Sequence, residues 1–397
     1  MEPLEHHTQR HAGKRVTVVG AGIAGLATAL RLRRQGWDVV VIERAPARRS
    51  SGYLVNLHGP GYTAAERLGL LPALTPRDIG FFTSILVHPD GREKFRIPAA
   101  VAESAVGARA LSLFRGDLES ALYDAVADVV DIRFGITVRA ITQNPGEVVA
   151  ALSDGTELRS DLLVGADGVH SRVRELAFGA ESEYFVDLGH MVGAFPLTTV
   201  PEHVREGVGT TFIGPGRTAA VMNLGPERSS AFFTYRSPDP TAELGVGAVP
   251  ALTGAFGDLG GGVADALRQL ETDPTIAYFD TVGQIVMDRW SRDRVVLLGD
   301  AAWCVTVFAG YGAALALDGA DRLGTALADA DIPAALETWE TALRPEALKR
   351  QALARKGISR FAPPSRMHVW AGELMLRAIQ LPGLRKVAQR AIERANN

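Results

Sequence analysis

Residues 16–44 read VTVVGAGIAGLATALRLRRQGWDVVVIER, and this stretch decides the fold. The apolar run VTVV has the character of a strand buried on both faces. After Gly25, the residues Leu26, Ala29, Leu30 and Arg33 recur at helical spacing. A second apolar run, DVVVI, ends at Glu43. Strand, tight turn, helix and strand, with Gly20-x-Gly22-x-x-Gly25 at the turn, make a unit suited to a dinucleotide. Gly20 permits the sharp turn, Gly22 lets the backbone approach a pyrophosphate, and Gly25 lets the helix lie close on the sheet. The phosphates belong at the helix N-terminus, where unpaired N–H groups and the positive dipole end favour an anion. Glu43, at the tip of the second strand, stands where a carboxylate accepts hydrogen bonds from a ribose diol. These residues leave NAD and FAD both open.

The composition limits what else the chain can do. Its 397 residues, 47% of them hydrophobic, suffice for two domains with well-formed cores. A formal charge of -3 leaves no basic excess for phosphate neutralisation, so nucleic acid is not an expected partner and a small molecule is. Cys304 is the only cysteine, which excludes an intrachain disulfide and fits a cytoplasmic protein. The leader MEPLEHHTQRHAGKR has no apolar core of a secretory signal, and no later stretch offers some 18 uninterrupted apolar residues. No membrane role is expected and no protein partner is implied. His6, His7 and His11 lie in that polar leader and are assigned no role.

Two further stretches narrow the cofactor. Residues 161–174, DLLVGADGVHSRVR, run from a buried-type strand into Gly165-Ala166-Asp167-Gly168, with Ser171 and Arg174 following in a helix. Residues 294–302, RVVLLGDAA, again form a buried strand, ending at Gly299-Asp300 and opening into the small-residue stretch FAGYGAALALDGADRL. Both set an aspartate at the carboxyl end of a strand, the edge where open α/β sheets bind ligands.

With these three motifs in this order and at about this spacing, the chain resembles the single-component FAD-dependent aromatic hydroxylases of the para-hydroxybenzoate hydroxylase fold. Within that class it is most similar to the tetracycline-inactivating and polyketide-tailoring monooxygenases, through GYLVNLHGPGYTAAERLGL at 52–70 and a C-terminal helix after the second domain. The resemblance covers nearly the whole chain from Arg15 onward. It implies an α/β fold: a Rossmann-like FAD-binding domain with an inserted antiparallel β-sheet substrate domain and a C-terminal bridging helix. The expected boundaries are 15–181 and 286–345 for the FAD-binding domain, 182–285 for the substrate sheet, and 346–397 for the C-terminal helical segment.

The resemblance also assigns residues. Gly20, Gly22 and Gly25 are to face the FAD pyrophosphate, and Glu43 the adenosine ribose with Arg44 alongside. Arg115 is to clamp the cofactor from the start of a helix, and Asp300 to hold the ribityl chain. Gly310 and Gly312 are to set a helix N-terminus near the flavin ring, where a positive dipole end stabilises reduced flavin. Asp167 and Gly168 match a motif bearing on FAD and nicotinamide binding. In the inserted segment, GTTFIGPGR, TAAVMNLG and SSAFFTYRSP read as short antiparallel strands, and Gly214-Pro215-Gly216 as a hairpin turn. Phe212, Met222, Phe232, Phe233 and Tyr235 are the candidates to line a substrate pocket between that sheet and the flavin. No second dinucleotide unit remains, so NADPH or NADH is expected to reach the flavin from the surface. The basic, amphipathic C-terminal segment reads as a helix bridging the two domains.

The implied activity is a monooxygenase: NAD(P)H reduces FAD, dioxygen adds at the flavin C4a, and the hydroperoxide passes one oxygen to a polycyclic or aromatic, natural-product-like substrate. The flavin carries the difficult chemistry, so no triad or metal cluster is required. None is read, and His58, His88, His170, His190, His203 and His368 are too scattered to read as ligands. The chain departs from the family after Asp300. Where His-x-x-x-Pro is usual, it has Trp303-Cys304-Val305-Thr306-Val307. Trp303, Val307 and Gly310 are therefore the residues expected beside the reacting ring. The departure keeps an alternative open, a non-redox cyclase of a natural-product pathway in which FAD is structural.

Overall fold

The structure, a computed structural model, describes residues 13–48, 53–106, 109–225, 228–378 and 380. Leader histidines 6, 7 and 11, Gly52 and the C-terminal stretch from 381 lie outside the described residues. The strand Arg15–Val19 is buried along all but its first residue. It pairs in parallel with Asp38–Glu43 on one side and Leu162–Gly165 on the other. The sheet extends through Asp131–Phe134 beyond the first neighbour and Val295–Leu297 beyond the second, with the antiparallel pair Ser291–Arg292 closing the edge. A strand buried on both faces reads as a continuous apolar run, the pattern of VTVV, LLVG and VVL.

The register brings three distant motifs together. Val19 lies beside Gly165, and Gly165 beside Leu297, so the loops that follow all leave from one carboxyl edge. Gly20 donates its N–H to Ile42 O at 2.7 Å, and Ala166 donates to Val19 O at 2.7 Å. Arg174, fully buried, donates to Ala301 O at 3.0 Å and so ties the Asp167 loop to the Asp300 loop.

The second sheet has seven strands in the order Tyr278–Ile285, Phe185–Leu197, Ser229–Arg236, Arg217–Asn223, Val208–Gly214, Thr83–Val87, Glu93–Ile97. Gly214 faces Arg217 across the antiparallel pair, so Gly214-Pro215-Gly216 is a hairpin turn. The last two strands come from the segment before 182, because Thr83–Val87 adds in parallel to Val208–Gly214. One face of this sheet packs on the helices Ala248–Phe256 and Val263–Thr272 around Phe195, Phe233, Phe256 and Leu267. The other face looks toward the parallel sheet.

Of two C-terminal helices, the first bridges both units and the second lies on the seven-stranded sheet. In the long helix Ile332–Phe361, the Gln351 amide donates to Ile285 O at 2.7 Å and to Trp303 O at 3.3 Å. The helix Arg366–Ala378 reaches the far edge strand: Lys94 pairs with Glu373 at 2.6 Å, and the Arg377 guanidinium lies 4.6 Å from the centre of the Phe95 ring. Among the described residues, no helix is long and apolar enough to cross a membrane.

Candidate FAD site

Between the parallel sheet's carboxyl edge and the open face of the seven-stranded sheet lies a cavity of about 370 Å³. Three helices open onto it with their N-termini: Ile23–Arg34 through Gly22 to Ala24, Arg115–Asp124 through Arg115, and Gly312–Asp329 through Gly312 and Ala313. Each helix start turns the positive end of its dipole toward the cavity, which favours an anion there.

The glycine triplet divides its work as the spacing implies. Gly20 has φ +106°, and a Cβ there would stand 2.4 Å from Ala166 O. A Cβ on Gly25 would stand 1.9 Å from Gly20 O, so the turn closes only with a bare backbone. Gly22 differs: its Cβ would meet nothing nearer than the Arg115 guanidinium at 3.8 Å. The protein does not need that space, and Gly22 lines the cavity, so the bare backbone serves whatever enters. Glu43 braces the turn by accepting from Ala21 N–H at 2.9 Å and Ala45 N–H at 2.8 Å. A carboxylate offers about four lone-pair sites, which leaves capacity for a ribose diol. Arg44 is exposed. Arg48, which the sequence reading passed over, instead donates to Ser120 Oγ at 2.6 Å and lies over Tyr123, beside the Arg115 helix.

Charge concentrates at the cavity's centre. Arg115 pairs with Glu119 at 2.7 Å and stands over the Tyr53 ring. Asp300 is accessible only because it borders the cavity; enclosure by protein raises its carboxyl above the usual range, while Arg115 and a Cys304 hydrogen bond pull it down. Burial pushes the Cys304 thiol well up, and the Asp300 charge adds to this. Tyr53 and Tyr278, ring centres 5.9 Å apart, are raised by burial and stay protonated. Gly310 has φ +58°, a conformation that favours glycine, and it leads into the helix at Gly312.

Asp167 takes a different part from Asp300. It accepts from Ser171 Oγ at 2.5 Å, Arg172 N–H at 2.7 Å and Val173 N–H at 3.1 Å, which folds its loop onto the following helix. Its neighbours Ala166 and Gly168 border the cavity.

Several expectations need correction. Trp303, placed beside the reacting ring on sequence, points away from the cavity. It is fully buried against Trp290 and Trp339, at ring-centre distances of 4.7 and 5.8 Å. Gly319 of the next helix makes room for it, since a Cβ there would stand 3.0 Å from the indole. Trp303→His should therefore lower the unfolding free energy by about 3 kcal/mol or more, because a large buried aromatic is truncated, while FAD content stays at the wild-type level; urea titration and absorbance at 450 nm check the two. Loss of FAD with unchanged stability would reverse the assignment. Val307 does border the cavity, next to Thr306, whose φ of +80° is a strained conformation for a β-branched residue.

The substrate candidates separate by strand alternation. Side chains one residue apart point to opposite faces. Met222 and Phe232 border the cavity together with Val192 and Ala220. Phe212, Phe233 and Tyr235 belong to the core on the other face, where Phe233 stacks on Phe195 and Phe256, and the Tyr235 hydroxyl donates to Glu243 at 3.0 Å. They do not line the cavity. Tyr53, Asn56, Tyr278 and Thr281, which do, are not among the substrate candidates: the first two belong to the GYLVNLHGPGYTAAERLGL stretch and the others to the strand Tyr278–Ile285.

The residues fit FAD. Three helix N-termini and Arg115 suit two phosphates, Gly22 leaves room for their approach, and Asp300 presents a carboxylate to hydroxyls. Comparisons with known proteins agree. Residues 14–341 match the model of the FAD binding domain. The chain is 30% identical over 331 residues to the aurachin C monooxygenase/isomerase of Stigmatella aurantiaca, covering 83% of this chain and 84% of that one. It is 30% identical over 324 residues to the FAD-dependent monooxygenase asL4 of Sarocladium schorii, covering 77% and 74%. In fold it is similar to tetracycline destructase Tet(51), with a TM-score of 0.78 and 24% identity over 94% of this chain and all of that one. With the glycine turn, Arg115 and Asp300 converging on one anion-binding cavity, the chain belongs to the FAD binding domain family of flavin-dependent oxidoreductases.

Proposed function

We propose that this protein is a monooxygenase that uses NAD(P)H and dioxygen to oxygenate a flat aromatic or polycyclic small molecule of natural-product type. One observation carries the reading: the cavity has two unlike walls. One is built of helix N-termini, Arg115 and Asp300; the other is the apolar sheet face of Val192, Ala220, Met222 and Phe232. When bound, FAD supplies the electron storage and oxygen activation that side chains lack. The polar wall orients it, through Gly22 and Arg115 at the phosphates and Asp300 at the sugar chain. The apolar wall holds a flat substrate by burial and excludes water from the reacting face. Gly310 and the start of the Gly312–Asp329 helix present positive dipole to negative charge developing there. NADPH or NADH would approach from the surface, since the described residues contain one glycine-turn dinucleotide unit.

The cyclase alternative rested on the departure at 303–307. Of the departing residues, Trp303 belongs to the interior, while Cys304, Thr306 and Val307 border the cavity, so the two readings are separated by the redox test. Anaerobic mixing of the FAD-loaded protein with NADPH or NADH should bleach the flavin, faster when the true substrate is present. In ¹⁸O₂ the product should gain one labelled oxygen. Conversion of the substrate to an isomer of unchanged mass without NAD(P)H would overturn the proposal.

A further inference from the structure

His170 lies just past Asp167-Gly168 and sits between two carboxylates. Its Nδ1 is 3.0 Å from Glu181 Oε1, and its Nε2 is 3.2 Å from Asp280 Oδ2. Asp280 belongs to the strand Tyr278–Ile285 of the other sheet, is nine-tenths buried, and also accepts from Thr281 N–H at 2.8 Å. The Tyr278 hydroxyl stands 3.4 Å from Asp280 Oδ2. Tyr278 is itself part of the cavity wall, with Thr281, Val282 and Gly283. At the outer end, the side chains of His170 and Glu181 are 41% and 39% exposed. Four polar side chains thus form a chain of contacts from solvent to a residue of the cavity wall, at the seam between the two sheets.

We infer that Glu181, His170, Asp280 and Tyr278 form a proton relay that carries protons from solvent into the cavity. The inference rests on the monooxygenase reading for its purpose. NAD(P)H, one proton, dioxygen and substrate give NAD(P)⁺, water and oxygenated product, so each turnover consumes a proton that a water-excluding cavity cannot draw from bulk. The transfer moves protons only. The His170 Nε2–H bond breaks as the proton passes to the Asp280 carboxylate. Asp280 then protonates the Tyr278 oxygen as Tyr278 releases its own hydroxyl proton to an acceptor in the cavity. His170, left neutral with its bare Nε2 facing inward, turns its ring so that this nitrogen faces Glu181 and solvent, takes up a proton there, and turns back to rest between the two carboxylates. The 3.4 Å step is the longest, and a small tilt of the Tyr278 ring shortens it to hydrogen-bonding range.

The electrostatics keep the outer end of the relay loaded with a proton at rest. The hydrogen bond to Asp280 raises the His170 pKa to about 9, with Glu181 adding to it and burial opposing, so the ring holds its proton through the neutral range. Burial first, then the Asp280 charge, raises the Tyr278 hydroxyl well above its ordinary value, so Tyr278 passes protons without ionising. The charged groups around His170 are Asp280 from the sheet strand and Glu181 from the turn; Arg174 holds the other Glu181 oxygen at 3.0 Å, and the Phe185 ring stacks on the imidazole. A clasp between the two sheets would need only one of these carboxylates.

The test uses the FAD-free and FAD-loaded chain. In the FAD-free protein, the His170 ring should titrate near pH 9 by NMR, and Asp280→Asn should bring it down toward the ordinary histidine value. The FAD-loaded protein, reduced with dithionite and mixed with oxygenated buffer, takes up a proton as the bound anionic reduced FAD and O₂ give oxidised FAD and H₂O₂. This rate should fall as pH rises through about 9. At pH 7.5 it should be on the order of tenfold to a hundredfold slower in His170→Gln and Tyr278→Phe, and added imidazole should restore it in His170→Gln. Reoxidation within twofold of wild type in both variants from pH 6 to 10 overturns the relay. So does a His170→Gln protein that loses stability while Tyr278→Phe reoxidises normally, because the cluster is then a clasp. Slowed, imidazole-rescued reoxidation without oxygenation of any substrate leaves the relay standing and removes the monooxygenase reading.

Discussion

Gly25→Ala should yield protein that does not retain FAD and unfolds at markedly lower urea concentration than wild type. The added Cβ falls 1.9 Å from Gly20 O and 3.3 Å from Val18 Cγ1, and the first of these is backbone that cannot rotate aside. Relief requires the helix Ile23–Arg34 to lift from the strand Arg15–Val19, at the heart of the parallel sheet. Overpacking in a core costs about 1–3 kcal/mol where side chains can yield, and a backbone collision belongs at or above the top of that range. Gly22→Ala is the control that separates fold from ligand. Its Cβ would sit 3.8 Å from the nearest atom, so the chain should keep its stability and lose FAD uptake, because the methyl takes space at the cavity wall. Urea midpoints and flavin absorbance after reconstitution read the two effects. Wild-type behaviour of Gly25→Ala in both would show that the turn is not as close as described.

Asp300→Ala should cut FAD affinity by roughly tenfold or more while leaving the FAD-free protein as stable as wild type. A hydrogen bond to a charged partner contributes about 1.5–3 kcal/mol, and each 1.4 kcal/mol is tenfold in affinity. Burial already disfavours this carboxylate, so the empty protein loses nothing by its removal. Asp167→Ala should show the opposite pattern. Three donors, the Ser171 hydroxyl and the N–H groups of Arg172 and Val173, lose their acceptor, and leaving the buried ones, at Ser171 and Val173, unpaired costs about 1–3 kcal/mol. Its urea midpoint should fall, and FAD should bind with near wild-type affinity to the fraction that remains folded. Equal FAD affinity in Asp300→Ala and wild type would show that Asp300 does not hold the cofactor.

The contrast between these two aspartates shows how much of the site is legible in a sequence. Both stand at the carboxyl end of a buried strand beside a glycine; the resemblance separates their expected roles, but the local pattern does not say which borders the cavity and which closes its own loop. That difference depends on which way a loop of two or three residues turns, and packing sets it. The same holds for Trp303. Its place in the chain sets it beside Asp300, but the direction of its side chain follows from the space left by Gly319 and the company of Trp290 and Trp339, from three other elements.

What the sequence determined by itself is local or periodic. The 16–44 unit, the glycine roles, the buried strands at 161–165 and 295–297, the hairpin at 214–216 and the family all follow from patterns within some thirty residues or from the order of three motifs. The remainder is non-local and was set by packing. Strands Thr83–Val87 and Glu93–Ile97 join the seven-stranded sheet through pairing with a strand more than a hundred residues later. The choice of Met222 and Phe232 over Phe212, Phe233 and Tyr235 depends on which face the two helices Ala248–Phe256 and Val263–Thr272 cover, because alternation divides the residues into two sets without saying which set is inside. The line from Glu181 through His170 and Asp280 to Tyr278 joins side chains about a hundred residues apart, and it exists only because two sheets meet along one seam.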